Sequence, residues 1–361
     1  MTRFAFVLHP LTAKDAARKY SWARFLPDPW IEKILLGKKP SILSQITGIE
    51  SKTGAKTSGV FIACPLTSSQ LADKSLDDHS LNRLLEAAEI ARQEGAQVMG
   101  LGAFTAITGD AGKTLSERAP IAITTGNSYT VATAIEGTLK ACSLLGISPS
   151  DSVLAVAGAT GSIGKTCAKV LASEFREVVL VGRDLARTQA IADELPNASA
   201  TTDLTALKTA DAVVSVTSSD SAIIEPGMLK AGSVVCDVSR PRDVSVRVAK
   251  ERPDVLVIEG GVVKVPGAVD FGLDFGFPPQ TAYACMSETM LLALENRCEN
   301  YTIGKDVRTD QVEEMLALAQ KHGFELAGFR SFERAVTDEE IDRVRRARKP
   351  SPSGTAIPAS V

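Results

Sequence analysis

Three closely spaced glycines are the residues whose arrangement points most directly to chemistry. Gly158, Gly161 and Gly164 follow the apolar run at residues 152–157 and open a segment of helical character at 165–173. Glycine permits a sharp turn and a close approach of the backbone to a ligand, and the free N–H groups of a helix N-terminus attract an anion. A strand, a glycine loop and a helix in this order are typical of a site for the pyrophosphate of a dinucleotide.

We therefore predict a dinucleotide site in this loop, with a bare structural turn as the alternative. The residues expected to bind the cofactor there are Gly158, Thr160, Gly161, Ser162, Ile163 and Gly164.

The next strand-like run, residues 177–181, indicates which dinucleotide binds. It ends at Gly182-Arg183-Asp184, roughly 20 residues past the first glycine, where NAD sites usually carry an acidic residue for the ribose 2′-hydroxyl. Gly182 occupies that place, and Arg183 and Arg187 offer charge-assisted bonds to a 2′-phosphate. The sequence thus favours NADPH over NADH. In the alternative, both arginines are solvated and Asp184 reaches the ribose.

Cys285 is the candidate nucleophile, because it is predicted to lie near the start of a helix at residues 280–297 that Thr281 caps. A thiol in that position has its thiolate favoured by the helix dipole and the free N–H groups. Glu288, one turn further on, would disfavour the thiolate if it were adjacent. The competing interpretation is that Cys285 packs as a small hydrophobe among apolar neighbours. Cys64, before Pro65, is a rival nucleophile.

Composition limits the class of protein. The 361 residues are enough for two domains, and a formal net charge of −3 gives no electrostatic footprint for nucleic acid. Six cysteines without a CxxC pair and three scattered histidines predict reduced thiols and no metal site. No apolar run approaches the 18 or so residues of a membrane span, and the N-terminus lacks a signal-peptide pattern. We expect a cytoplasmic protein, with peripheral membrane contact left open.

The second half of the chain alternates regularly between strands and helices. Strands are predicted at residues 152–157, 177–181, 211–216, 233–238 and 255–258. Such alternation indicates an α/β fold with a Rossmann-type doubly wound parallel sheet, whose ligand lies at the carboxyl ends of the strands. We expect Thr217 and Ser239 at two of these ends to face the cofactor, and Gly261 to allow close backbone approach. The nucleotide domain is assigned to residues 130–279.

The front of the chain reads as a second α/β domain. Strands are predicted at 2–9, 58–64, 97–101 and 121–125, with helices at 12–20, 81–95 and 129–145, while residues 20–60 show little pattern. Helices at 280–297 and 309–322 are expected to complete this domain, which then spans 1–129 plus 280–330. Residues 331–361 are predicted to form a short charged helix and a flexible tail from residue 350.

The turn Gly126-Asn127-Ser128 precedes the helix at 129–145. Asn127 and Ser128 are candidates for positioning the substrate, its oxyanion or the nicotinamide carboxamide; the alternative is that they only cap the helix.

From about residue 5 to residue 327 the chain resembles the long-chain acyl-[acyl-carrier-protein] reductases. The similar stretches are residues 101–105, 124–128, 127–147, 158–164 and 260–263, Ala284-Cys285 with Glu288 and 290–292, and 321–324. The resemblance implies reduction of a fatty acyl thioester to a fatty aldehyde with NADPH. It also implies an acyl carrier protein as partner, an acyl-binding front domain, and Cys285 as the nucleophile that takes the acyl group.

Residues 237–242 are instead similar to the equivalent strand end of glutamyl-tRNA reductases, which also use a cysteine thioester and NADPH.

Two other functions stay open. A non-covalent dehydrogenase of a small polar substrate, of the shikimate or amino-acid type, would need an acid–base pair in the front region, where Lys14, Lys52, Lys56 and Asp110 are available. The other is a regulator that binds a nucleotide but catalyses no reaction. The basic residues at 343–349 are expected to form a solvated helix face rather than a carrier-docking face.

Overall fold

The computed structural model describes residues 1–18, 20–274 and 276–348, and within them the chain forms two six-stranded sheets joined by a long buried helix. The flexible tail predicted from residue 350 lies outside the described residues.

The first sheet is built mainly from the front of the chain. Its strands are β1 Arg3–Leu8, β2 Ser41–Glu50, β3 Lys56–Ala63, β4 Ala96–Gly100, β5 Ala122–Thr124 and β13 Gly267–Asp270. They lie in the order β13-β2-β3-β1-β4-β5, with β3, β1, β4 and β5 parallel and with β2 and β13 each antiparallel to its neighbour. Phe4, Phe6 and Phe61 from the central strands are buried.

The second sheet is entirely parallel. Its strands are β6 Val153–Ala157, β7 Glu177–Val181, β8 Ala198–Thr201, β9 Ala212–Ser215, β10 Val234–Asp237 and β11 Leu256–Glu259. They lie in the order β11-β10-β9-β6-β7-β8. This is the doubly wound arrangement, with the chain reversing direction across the sheet between β6 and β9, so the predicted fold class is confirmed.

Helices cover both sheets. Their bounds are α1 Asp28–Leu36, α2 Ser68–Ala72, α3 Asp77–Gln93, α4 Lys113–Arg118, α5 Asn127–Leu145, α6 Ser162–Leu171, α7 Leu185–Ala192, α8 Val246–Glu251, α9 Ala284–Leu294, α10 Thr309–His322 and α11 Asp338–Ala347. Shorter 3-10 helices lie at Ala13–Arg18, Ser21–Phe25, Lys74–Leu76, Ala103–Ala106, Pro149–Asp151, Leu204–Thr209 and Pro226–Met228. The helix predicted at 12–20 is therefore a single 3-10 segment.

The small strands β12 Val262–Lys264, β14 Thr281–Tyr283 and β15 Glu325–Leu326 form a third sheet next to the second. β16 Arg330–Ser331 and β17 Arg334–Ala335 form a hairpin. β14 corrects the helix predicted from residue 280, since Thr281 to Tyr283 pair with β12 and the helix begins only at Ala284.

Two features of the front sheet differ from the sequence expectation. β2 fills much of the region predicted to be without pattern: it pairs with β3, which lies close in sequence, while burial does not alternate regularly along it. β13 lies within residues 130–279, which the sequence assigned to the nucleotide domain, yet it pairs with Ile49 and Thr47 of β2. The front sheet thus ends in a strand that comes late in the chain.

α9 is held against the front sheet by a close contact. A Cβ at Gly100, the last residue of β4, would lie 2.0 Å from the Thr289 Oγ1 of α9, so only glycine leaves room for the helix. All residues of α9 except Cys285 are buried. The packing of α9 on β4 therefore fixes where its first turn, and Cys285 with it, can lie.

Candidate active site

A single cleft of about 1740 Å³ runs between the carboxyl ends of the two sheets. Its volume exceeds the roughly 300–1,000 Å³ of an ordinary small-molecule pocket, which suits a dinucleotide together with a substrate. The predicted site residues that line it are Asn127, Gly158, Thr160, Gly161, Ser162, Ile163, Arg183, Arg187, Thr217, Ser239, Gly261 and Cys285. Gly164 and Ser128 lie behind its wall.

The glycine loop forms a cradle that side chains would fill. Gly158 has φ +84°, and a Cβ there would lie 2.3 Å from the Val216 carbonyl oxygen. A Cβ at Gly164 would lie 2.3 Å from the Gly158 carbonyl oxygen, so Gly164 lets α6 pack against the loop and does not face the cleft. α6 begins at Ser162, directly after the cradle. These residues fit the pyrophosphate of a dinucleotide.

The end of β7 has little room for any side chain at Gly182. A Cβ at Gly182 would lie 2.3 Å from Thr188 Oγ1, so an aspartate or glutamate there would displace that side chain. Asp184 is occupied as the N-cap of α7, where it accepts the Arg187 N–H at 3.1 Å. Arg183 and Arg187 are exposed at the cleft, and no described residue forms an ion pair with either guanidinium. This end of the cleft therefore presents two exposed guanidinium groups without an ion-pair partner among the described residues.

Asp243 is a buried residue that organises the cofactor side and that sequence reasoning missed. Its carboxylate accepts hydrogen bonds from the hydroxyls of Ser215 at 2.6 Å, Thr217 at 2.5 Å and Ser239 at 2.6 Å. It thereby ties the ends of β9 and β10 together. The Thr217 N–H donates to Ser239 Oγ at 2.8 Å and to Asp243 at 2.9 Å, so Thr217, Ser239 and Asp243 form one hydrogen-bonded network at the cleft wall.

Cys285 is the second residue of α9 and lies half-buried on the cleft wall. Gly126 packs against it, since a Cβ there would be 2.4 Å from the Cys285 Cα, and a Cβ at Gly102 would be 3.6 Å from its sulfur. The Ala284 N–H donates to the Gly261 carbonyl at 2.7 Å, which places Cys285 beside the end of the second sheet. The predicted cap is wrong: the N-cap is Tyr283, and the Thr281 hydroxyl donates to the Pro278 carbonyl within the preceding turn.

Burial has the largest effect on the pKa of the Cys285 thiol. It raises the pKa of Cys285 to about 12, although the backbone N–H groups of Met286 and Cys285 and the charge of Arg240 act to lower that pKa. The Glu288 carboxylate raises the pKa further, as its spacing in the sequence predicted. The helix N-terminus therefore acts in the expected direction but is outweighed, and Cys285 is a neutral thiol in this structure at neutral pH.

Glu288 is fully buried and joins α9 to the start of α5. Its carboxylate accepts the Thr124 hydroxyl at 2.5 Å, the Tyr129 N–H at 2.9 Å and the Thr302 hydroxyl at 3.1 Å. Ser128 belongs to the same network, because its hydroxyl lies 2.6 Å from Thr302 Oγ1. Ser128 is thus engaged in packing rather than facing a substrate.

Asn127 reaches the opposite way from its neighbour Ser128. It lines the cleft, and its side-chain amide donates to the Ser162 hydroxyl of the glycine loop at 3.4 Å. Asn127 therefore connects the wall that carries Cys285 to the cradle.

The other cysteines differ sharply in their surroundings. Cys64 also lines the cleft wall, but it is fully buried, and burial raises its pKa to about 12. Cys142, Cys167 and Cys236 are buried in the core, and Cys298 is exposed away from the cleft. Cys285 is thus the more accessible of the two cleft thiols.

The front end of the cleft is an apolar chamber. Its wall is formed by aliphatic and aromatic side chains, among them Phe6, Leu8, Leu35, Leu43, Phe104 and Leu273. His9 lies in the same wall, where burial lowers its pKa to about 4 and its Nε2 accepts the Phe104 N–H at 3.3 Å. His9 is therefore neutral at physiological pH.

The front-region acid–base candidates lie elsewhere. Lys14 pairs with Asp28, Lys56 pairs with Glu50, and Asp110 accepts from Thr114 at the start of α4. Neither these residues nor Lys52 line the cleft.

Among the residues that the structure describes, no helix is both long and apolar enough to cross a membrane. The same residues hold no group of three or more histidine, cysteine or carboxylate side chains arranged to bind a metal ion.

Part of the chain matches a known protein family, and most of the chain is similar to two relatives described below. Residues 144–259 match the family described as shikimate / quinate 5-dehydrogenase. The aminotransferase PigE of Serratia sp. is 33% identical over 308 residues, which cover 82% of this chain and 35% of PigE. The long-chain acyl-[acyl-carrier-protein] reductase of Synechococcus elongatus is 27% identical over 330 residues, covering 87% of this chain and 94% of that protein. The chain thus spans about a third of PigE and nearly all of the reductase.

Among solved structures, shikimate dehydrogenase from Aquifex aeolicus aligns over 87% of this chain and 97% of its own, with 13% identity and a TM-score of 0.40. The strand order of the second sheet, its glycine cradle and the family match at residues 144–259 together indicate an NAD(P)-dependent oxidoreductase.

Proposed function

We propose that the protein reduces an acyl thioester to an aldehyde through an acyl-enzyme on Cys285. The observation that supports this most directly is the place of the thiol. Cys285 lies at the start of α9, on the stretch of wall where the glycine cradle and the apolar chamber meet. A group bound in the chamber and a dinucleotide bound in the cradle would both have their reactive ends beside that sulfur.

The acyl transfer uses groups of this chain alone. The Cys285 sulfur attacks the carbonyl carbon; a C–S bond to Cys285 forms, the C–S bond to the carrier thiol breaks, and the departing thiolate takes up the proton that Cys285 gives up. The intermediate carries an oxyanion, which preorganised N–H donors stabilise. The first turn of α9 has no side-chain cap, so the N–H groups of Cys285 and Met286 are candidates for that role.

The cleft also holds what the reduction needs. When bound, the reduced nicotinamide supplies the hydride that releases the acyl group from Cys285 as an aldehyde. Gly158 and Gly161 would hold the pyrophosphate, Arg183 and Arg187 the 2′-phosphate of NADPH, and Asn127 the amide end of the cofactor or the substrate. These assignments follow from the lining of the cleft and from the steric exclusion of an acid at Gly182.

The substrate we favour is a fatty acyl chain delivered by an acyl carrier protein. The apolar wall of the front chamber, with Phe6, Leu8 and Phe104, suits an aliphatic chain. The similarity to the reductase of Synechococcus elongatus supports the carrier. A basic docking face on α11 gains little support, because Arg345 binds the Leu144 carbonyl and Asp342, and Arg348 binds the Gly232 carbonyl.

A second candidate is the non-covalent dehydrogenation of a small polar substrate. The match of residues 144–259 to the shikimate / quinate 5-dehydrogenase family favours it, and on the comparisons alone it is the better supported of the two. The geometry favours the covalent route, because Cys285 lines the cleft whereas Lys14, Lys52, Lys56 and Asp110 do not.

Intact-mass measurement separates the two functions. The wild-type protein is incubated with a long-chain acyl thioester of acyl carrier protein, and in parallel of coenzyme A, without NADPH. We expect a mass gain of one acyl group that is lost in Cys285→Ala and kept in Cys298→Ala, whose thiol lies outside the cleft. NADPH should then release the acyl group from the wild type as aldehyde.

An adduct that persists in Cys285→Ala would remove Cys285 from the reaction. No adduct, together with NADP⁺-dependent oxidation of a hydroxy acid such as shikimate or quinate, would establish the second candidate. Cys285→Ala should bind NADPH as the wild type does, since the glycine cradle is untouched.

A further inference from the structure

Arg240 is a buried arginine that the reaction outlined above does not yet use. It follows β10, lines the cleft, and has only 13% of its side chain exposed. Its Nε donates to the Tyr283 hydroxyl at 3.2 Å and its Nη1 to the Ser239 carbonyl at 2.7 Å, while the guanidinium lies 5.4 Å from the centre of the Tyr283 ring. These contacts hold the guanidinium plane in one position.

The charge of Arg240 is incompletely matched. Its Nη2 is buried and has no hydrogen-bond partner among the described residues. The nearest carboxylate oxygen, Glu259 Oε2, lies 3.6 Å away, and Glu259 is shared with Arg242 at 3.1 Å and Arg330 at 3.8 Å. A buried donor without an acceptor costs free energy, more when it is charged. Glu259 Oε2 also has no hydrogen-bond partner among the described residues, so one carboxylate is shared by three guanidinium groups and Arg240 keeps one buried N–H group without a close acceptor.

The connection to Cys285 runs through Tyr283. Tyr283 is the N-cap of α9, two residues before Cys285, and Arg240, Tyr283 and Cys285 line one cleft. The charged groups that act on the Cys285 thiol are Arg240 from the loop after β10 and Glu288 from its own helix. The Glu288 carboxylate, when ionised, opposes a thiolate at Cys285. Neutral His9, in the chamber wall, supplies no charge.

The groups around Arg240 itself are Tyr283, Asp237 and Glu259. Asp237 is committed to the backbone: its carboxylate accepts the N–H groups of Ser239 at 3.1 Å and Val244 at 3.0 Å. Neither Asp237 nor Glu259 hydrogen-bonds the guanidinium of Arg240.

We propose that Arg240 is the positioning cation of the reaction, the group whose charge lets Cys285 lose its proton and which then faces the oxyanion of the acyl intermediate. The inference rests on the proposed covalent function and names what activates its nucleophile. The proton leaves Cys285 for solvent or for the departing carrier thiolate, and Arg240 stays protonated throughout. In this proposal the positive charge of Arg240 first stabilises the Cys285 thiolate and then the oxyanion, because the sulfur and the carbonyl oxygen belong to one reacting centre.

The test is the pH dependence of Cys285 alkylation by iodoacetamide, followed by peptide mass in the full-length protein. Cys298 is exposed and is alkylated in the same sample, so it reports the general reactivity of a thiol under each condition. The variants are Arg240→Gln, Arg240→Lys and, as matched control, Arg242→Gln, which shares Glu259 but does not line the cleft. NADPH binding confirms that each variant is folded.

In Arg240→Gln we expect Cys285 to be alkylated at least about tenfold more slowly than in the wild type at the same pH, because the thiolate fraction falls tenfold for each unit by which the thiol pKa rises. Arg240→Lys should recover most of the rate because it keeps the charge. Arg242→Gln should match the wild type, and Cys298 should be unchanged in all variants.

Three outcomes would overturn the inference: an unchanged rate of Cys285 alkylation in Arg240→Gln, an equal loss of rate in Arg240→Gln and Arg240→Lys, or an equal loss of rate in Arg242→Gln. Because alkylation needs neither substrate nor turnover, its result is independent of the acyl-enzyme experiment. Failure of one is therefore distinguishable from failure of the other.

Discussion

The carboxylate of Glu288 accepts the backbone N–H of Tyr129 at 2.9 Å, which joins the helix that carries Cys285 to the first turn of the helix that links the two sheets. A buried carboxylate on helix N–H groups replaces the side-chain cap that α5 lacks. The wall behind Cys285 is thus held by the buried carboxylate of Glu288 and by the close approach of Gly126 to the Cys285 backbone.

Gly126→Ala should damage the protein far more than Gly146→Ala. Both glycines flank α5 with positive φ, +74° and +67°, so both substitutions carry the strain of a left-handed alanine, about 1 kcal/mol. Only at Gly126 does the new Cβ meet backbone, 2.4 Å from the Cys285 Cα, whereas nothing lies within 4 Å of a Cβ at Gly146. Urea unfolding should give a loss of at least about 3 kcal/mol for Gly126→Ala and about 1 kcal/mol for Gly146→Ala. Equal losses would mean that the contact with Cys285 is not as close as described.

Glu288→Gln should change the pH dependence of stability. Burial raises the pKa of Glu288 above its unfolded value, so the folded state holds the proton more tightly and stability is lost as pH rises through the folded pKa. Glutamine keeps an acceptor for the Tyr129 N–H and cannot ionise. The unfolding free energy of the variant relative to wild type should therefore improve between pH 4.5 and pH 8. Exposed Glu174→Gln serves as the control, and a difference that is flat with pH would contradict the prediction.

Arg183→Ala combined with Arg187→Ala should abolish a preference for NADPH. We expect the wild type to bind NADPH at least about tenfold more tightly than NADH, with each charge-assisted bond contributing about 1.5–3 kcal/mol. Dissociation constants for both cofactors, measured by fluorescence titration, test this. NADH binding should be nearly unchanged, and the exposed Arg118→Ala, outside the cleft, should behave as the wild type. A double variant that keeps the preference would place the 2′-phosphate elsewhere.

His9→Gln should make the protein less sensitive to acid. The pKa of His9 is lowered to about 4 by burial, so between pH 6.5 and pH 4 the unfolded chain binds a proton that the folded chain does not. Stability falls with decreasing pH in that window by up to about 1.4 kcal/mol per pH unit from this group. Glutamine removes this contribution while its amide can still accept the Phe104 N–H. Denaturation at pH 7 and pH 4.5 tests it, with His79→Gln on α3 as control; equal losses in wild type and His9→Gln would exclude the effect.

Features that depend on neighbours in sequence could be predicted from the sequence. The cradle at Gly158 to Gly164 and five of the six strands of the second sheet follow from local turn chemistry and apolar runs, whereas the edge strand β8 was not predicted. Thr281 was misjudged as a cap because the strand pairing of residues 281–283 with β12 overrides local preference. Asp243 gave no signal, since its role comes from three hydroxyls that reach it from different strand ends. The surroundings of Arg240 could not be predicted either, because they depend on how Glu259 is shared with Arg242 and Arg330.

The strand at Gly267–Asp270 has a practical consequence for dissecting this chain into fragments. The polypeptide leaves the front sheet through α5 and returns to it through β13. A cut at the apparent border near residue 130 would therefore remove β13, one of the two antiparallel partners of β2, and expose that edge of β2 to other molecules. A gene for an isolated cofactor-binding module should therefore stop close to Glu259, before the return crossing. A fragment that contains only the front half of the chain lacks β13. It would need residues 267–270 either as a separate peptide or grafted as a hairpin onto the loop beside β2.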